Sequence, residues 1–116
     1  MAMALFDYLE LPVTSVAGQQ AFYGKAFGWE FTGYGPDYAA HERDPCQLAL
    51  NGAGEEHRSR AILPVIRVED IVAARDAVLA AGGAITLEIF AFPGGQRFHF
   101  TDPEGLELGC YEPDTA

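Results

Sequence analysis

Basic residues are scarce in this chain: seven Lys and Arg stand against 17 Asp and Glu, a formal net charge of −10. That deficit argues against nucleic acid and anionic membrane as partners, because both are gripped by a basic patch. The acidity serves solubility and says little about a ligand. Long apolar runs are lacking too, and none approaches the ~18 residues of a membrane span. The opening Met1-Ala2-Met3-Ala4-Leu5-Phe6-Asp7 lacks the basic n-region and long apolar core of a signal peptide, so a cytoplasmic location is expected. Cysteine is limited to Cys46 and Cys110, each in an apolar alternating stretch, with no C-x-x-C and no zinc spacing. Both read as buried reduced thiols. Nucleophile elbows and phosphate loops are also missing. Asp102-Pro103-Glu104-Gly105 and Phe92-Pro93-Gly94-Gly95 read as turns, in which Pro sets φ and Gly permits φ > 0.

What is present is a repeating pattern in 116 residues, a length that suits one domain. A chain of this size buries roughly 65% of its unfolded surface and needs neither disulfide nor metal to fold. Phe6 to Val13 alternates with a period of two and reads as a strand. Thr14 and Ser15 are good N-caps for a helix from Val16 to Phe27, with Phe22, Tyr23, Ala26 and Phe27 on one stripe, and Gly28 stops it. Strands are expected at Trp29–Tyr34, Tyr38–His41 and Cys46–Asn51, with a turn at Asp44-Pro45. After the polar stretch 52–60 the pattern restarts. It runs through a strand at Ile62–Val68, a helix from Ile71 to Ala81 capped by Asp70 and ended by Gly82-Gly83, and strands at Ala84–Ile89, Arg97–Thr101 and Leu106–Tyr111.

The restart is an internal repeat. At an offset of 55, Val13-Thr14-Ser15-Val16 falls on Val68-Glu69-Asp70-Ile71, and Ala26-Phe27-Gly28 on Ala81-Gly82-Gly83. At an offset of 58, the run from His41 to Leu50 falls on His99 to Leu108, with His, Asp, Pro and both Leu coinciding. The fold class is therefore α+β: two paired β-α-β-β-β modules, about 5–52 and 61–112, in one domain. His41 and His99 take equivalent places in the two copies.

The chain resembles the vicinal oxygen chelate superfamily, which includes glyoxalase I, bleomycin-resistance proteins and extradiol dioxygenases. The resemblance rests on Leu11-Pro12-Val13 leading to Ala21-Phe22-Tyr23 and Phe27-Gly28-Trp29, on Arg67-Val68-Glu69-Asp70-Ile71, on Ala81-Gly82-Gly83, and on Phe100-Thr101-Asp102-Pro103-Glu104-Gly105. It covers nearly the whole chain. Leu106 departs from it, standing where the family's turn usually continues with Asn. The resemblance implies curled sheets that make a small-molecule cleft, and a homodimer. It also implies four metal-ligand positions, which here are Tyr8, Asn51, Leu63 and Gly109. Leu63 and Gly109 offer no side-chain donor, Asn51 is a poor ligand and Tyr8 an uncommon one, so no metal and no cofactor are expected.

Alternation sorts the strands into two faces. Leu9, Leu11 and Val13 should pack under the first helix, and Ile66 and Val68 under the second, together with Phe98, Phe100, Leu106, Leu108 and Cys110. The opposite parity should line the cleft: Tyr8 and Glu10; Gln47, Ala49 and Asn51; Leu63, Val65 and Arg67; Arg97, His99 and Thr101; Glu107, Gly109 and Tyr111. That set is mixed polar and aromatic, as small-molecule sites are. His99, with Glu10 or Glu107 beside Arg67 or Arg97, forms a candidate acid–base group. Trp29, Phe31 and Tyr34 either stack on a flat ligand or serve as core or dimer contacts. The expected function is binding of a small molecule without metal. The alternatives are a metal-independent lyase or isomerase and, disfavoured by the ligand positions, a metal-dependent lyase or dioxygenase.

Overall fold

The computed structural model describes residues 4–43, 47–54 and 60–114. It divides into two compact units, one spanning Tyr8–Leu63 and the other Pro64 onward together with the first residues through Asp7. The element order is β1 (Ala4–Pro12), α1 (Val16–Phe27), β2 (Thr32–Gly33), β3 (Tyr38–His41), β4 (Gln47–Asn51), β5 (Leu63–Val68), α2 (Ile71–Ala80), β6 (Ala84–Phe92), β7 (Gly95–Thr101) and β8 (Glu107–Pro113). Strands of the first unit run in the order β2-β3-β4-β1, and those of the second in the order β5-β8-β7-β6. In each, the strand before the helix pairs in parallel with the last strand, while the other pairs are antiparallel. This is the α+β architecture of repeated β-α-β-β-β units. Among the described residues, no helix is long and apolar enough to cross a membrane.

The repeat extends to helix capping. Ser15, at φ −137° and ψ 103°, accepts a bond from the Gly18 amide at 3.0 Å. Asp70, at φ −139° and ψ 104°, accepts one from the Ala73 amide at 3.0 Å. Each side chain satisfies an amide that the first helical turn would leave unpaired. Asp70→Ala should therefore lower stability by about 1 kcal/mol in urea denaturation. An unchanged midpoint would mean that the cap contributes nothing. At the other end of α1, Gly28 takes the left-handed conformation (φ 72°) that glycine adopts without strain.

The helix-side cores follow the expected parity. Val13, Val16, Ala39 and Leu50 form one, with Leu11, Tyr23 and Phe31 against it. Val68, Ile71, Phe98 and Cys110 form the other, with Ile66, Val78 and Phe100 among the side chains packed on it. Four placements differ from expectation. Leu9 is exposed. Leu106 is 63% exposed because Asp102 Oδ1 accepts both the Glu104 and Leu106 amides and draws Leu106 into the turn, so that β8 starts one residue later. On α1, Tyr23 reaches the core while Phe22 and Phe27 lie on the exposed side. The strand expected at Trp29–Tyr34 shrinks to Thr32–Gly33, since Trp29 is held by ring stacking and the Tyr34 amide closes on the Tyr38 carbonyl at 2.8 Å. The expected turn at Asp44-Pro45, the thiol of Cys46 and most of the 52–60 stretch, including His57, lie outside the described residues.

Candidate functional site

The face opposite the helices carries a polar cluster in each unit. In the first, β1 presents Tyr8 and Glu10, and parallel pairing sets them level with Gln47 and Ala49 of β4. Glu10 is only 2% exposed. Its carboxylate accepts the Tyr38 hydroxyl at 2.6 Å and the Asn51 amide nitrogen at 3.0 Å. The Tyr38 hydroxyl lies 3.4 Å from that of Tyr8, and Asn51 Oδ1 accepts the Ala53 amide at 2.9 Å. A buried carboxylate needs such donors, because burying the charged form without partners is costly. Gln47 is half-buried beside this group.

In the second unit the cluster stands on β7 and β8. Arg97 and His99 are 2% and 1% exposed. Arg97 Nη2 lies 2.9 Å from His99 Nε2. A guanidinium can only donate, so a hydrogen bond here has His99 Nε2 as its acceptor, the role that the Nδ1–H tautomer provides. That Nδ1 faces Glu107 Oε2 at 3.7 Å, and the same oxygen accepts the Thr86 hydroxyl at 2.8 Å. Phe92 and Phe90 collar the guanidinium, with ring centroids 5.3 and 6.0 Å from its carbon, a cation–π arrangement. Tyr111, opposite Arg97 in the ladder, donates its hydroxyl to Asp7 and meets Phe92 edge-on.

The expected residues therefore gather as Tyr8–Glu10–Asn51 in one unit and Arg97–His99–Glu107 in the other. Leu63 and Val65 are fully buried and belong to neither helix-side core. Gly109 pairs with both His99 and Val65, whereas Arg67 is exposed.

The expected equivalence of His41 and His99 fails. His41 lies opposite Leu48, on the helix side, where it stacks on Trp29 and its Nδ1 sits 3.0 Å from the Glu30 carbonyl. His99 lies opposite Gly109, on the other face. The residue standing opposite Asn51, where His99 stands opposite Gly109, is Tyr38. Tyr38 lies in the strand expected at Tyr38–His41 but is not among the expected site residues. Its parity with Ala40, which pairs with Ala49, would have put it on the cleft face.

Cys110 and Tyr34 titrate far from their usual ranges. Burial pushes the Cys110 thiol up to about 12, which makes it a reduced, unreactive core residue. The hydrogen bond to Glu42, then burial and the same carboxylate's charge, push the Tyr34 phenol up to about 12. A raised folded-state pKa favours the protonated form, so this contribution is complete below the unfolded value of about 10 and is lost as pH rises through about 12. Alkaline titration followed by tyrosinate absorbance should show a late-ionising tyrosine in the wild type that moves earlier in Glu42→Gln. An unchanged profile would remove the assignment.

Similarities to known proteins agree with this architecture. The structure resembles that of NAD-dependent benzaldehyde dehydrogenase from Legionella pneumophila, with TM-score 0.77 and 15% identity over 92% of this chain and 98% of that one. It also resembles methylmalonyl-CoA epimerase from Mycobacterium tuberculosis, with TM-score 0.71 and 15% identity over 95% and 88%. A glyoxalase/bleomycin resistance protein/dioxygenase superfamily member from Vibrio splendidus 12B01 matches with TM-score 0.61 and 16% identity over 98% and 100%. At such identities the likeness is one of fold. No curated protein matches the sequence. The sequence profile of the Glyoxalase/Bleomycin resistance protein/Dioxygenase superfamily matches residues 5–109, and the chain belongs to that superfamily.

Proposed function

We propose that this protein binds a small molecule on the sheet face opposite its helices, without a metal. The observation that carries the reading is the Arg97–His99 contact. The basic nitrogen of His99 is already occupied by a permanent cation, so the ring is a poor proton acceptor there and acts instead to orient the guanidinium. Proton transfer by His99 would require Arg97 to leave first, which disfavours the lyase or isomerase reading. Glu10, bonded by Tyr38 and Asn51, is the group that keeps that second reading in play.

The superfamily's metal chemistry does not fit the residues present. Of the four ligand positions, Leu63 and Gly109 carry no donor. The Asn51 side chain is engaged by Glu10 and the Ala53 amide. A divalent transition metal needs several His, Cys or carboxylate donors. The homodimer implied by the family is part of the proposal, supported by Leu5 and Phe6 exposed on β1. Sedimentation as a monomer would remove that part.

The reading is tested by melting scans with nickel, zinc, manganese and ferrous ions, and then with a panel of small carboxylates, amides and aromatics. We expect no metal to raise the melting point and at least one organic compound to raise it without being transformed. Arg97→Met should erase that rise. Stabilisation by one metal per chain would overturn metal independence, and turnover abolished by Glu10→Gln would move the lyase reading to the front.

A further inference from the structure

A second region of the first unit has features of a binding site. Beside the C-terminal end of α1 lies an open cleft of about 670 Å³, within the size range of small-molecule pockets. Phe27, Trp29 and Phe31 form its aromatic wall, and Glu30, Glu42 and Arg43 are its charged lining. Trp29 is sandwiched between Tyr23, with centroids 5.5 Å apart at 12°, and His41, at 4.6 Å and 6°. These stacked rings back the wall. Phe27 packs against Trp29 at 5.4 Å yet remains 63% exposed, so a phenyl ring stays available to a ligand. Glu42 is anchored by the Tyr34 hydroxyl, and Glu30 is exposed.

The charges decide the ligand class. Two carboxylates face one guanidinium in the lining. The negative end of the α1 dipole terminates at the same wall. Aromatic faces attract cations through their quadrupole, and a net charge of −10 raises the local concentration of cations. We propose that this cleft binds an organic cation, an amine or quaternary ammonium carrying a flat apolar group. The group stacks at Phe27, and the positive charge lies between Glu30 and Glu42. The site shares none of the residues of the sheet-face proposal, so the two stand or fall separately.

Trp29 is the sole tryptophan and lines the cleft, so its emission reports occupancy. Benzyltrimethylammonium is titrated against the full chain, with benzoate and the neutral isostere neopentylbenzene as comparisons. We expect a saturable emission change with the cation, none with benzoate, and much weaker binding of the neutral compound. Glu30→Gln and Phe27→Leu, both surface changes whose folding is checked by circular dichroism, should each weaken the cation's binding about two- to fivefold. Arg97→Met should leave it unchanged. Absence of a saturable change, equal binding of benzoate or of the neutral isostere, or wild-type affinity in both variants would overturn the proposal.

Discussion

Gly95→Ala is expected to cost more than about 4 kcal/mol, placing it in the rare tail of single substitutions. Gly95 opens β7 and pairs with Pro113 of β8. A Cβ added there would lie 2.1 Å from the Glu112 carbonyl oxygen and 3.0 Å from its carbon and from Pro113 Cα. Every one of these atoms is backbone, so no rotamer change can relieve the clash. The strand end cannot simply recede either, because the Asp114 amide bonds the Gly94 carbonyl at 2.8 Å and ties β8 across the same turn. The alanine variant must therefore open the β7–β8 ladder, which also carries Arg97 and His99. Urea denaturation beside Gly33→Ala makes the comparison: nothing lies within 4 Å of a Cβ at Gly33, and that change should stay within about 0.5 kcal/mol. Equal midpoints for the two variants would refute the steric account.

Phe98→Ala is the second large effect, and it separates the two faces of β7. Phe98 is fully buried among Val68, Ile71 and Cys110 under α2. Removing the ring forfeits its transfer free energy and leaves a cavity that a strand held on both sides by β6 and β8 cannot collapse. A loss of about 3–5 kcal/mol is expected. For a domain of this size that corresponds to a melting point lower by on the order of 15 °C. The sheet-face proposal adds a contrast. Below its lowered melting point, Phe98→Ala should keep the organic ligand's stabilisation, whereas its neighbour Arg97→Met should lose it. If both variants lose it, β7 acts as one packing unit and the assignment of a ligand face to Arg97 fails.

Much of the architecture was legible in the residues because it depends on local rules. The N-caps Ser15 and Asp70, the stop at Gly28 and the turn at Asp102-Pro103-Glu104-Gly105 are set by neighbours within about five positions along the chain. Strand parity was legible for the same reason: the two-residue pleat assigns faces without knowledge of partners. It placed Leu11, Val13, Ile66, Val68, Phe98 and Cys110 on the helix side, and Glu10, Arg97 and His99 opposite them. Leu106 escaped because the bond its amide donates to the Asp102 carboxylate outweighed its apolar character. Phe27 escaped because a helical stripe does not say how far the core extends beneath its last turn.

What the amino-acid order determined by itself was the repeated α+β unit, the caps and the parity of the core-facing strands. Only the tertiary structure decided the register. It paired Tyr38 with Asn51 and His41 with Leu48, and so turned His41 to the helix side while its sequence counterpart His99 stayed opposite Gly109. It also decided that Arg97 meets His99 and that Glu10 meets Tyr38 and Asn51. The physical reason is the same in each case. Register is a choice among pairings separated by whole residues. It is settled by how side chains far apart in the chain pack and bond across strands, and no local preference encodes that choice.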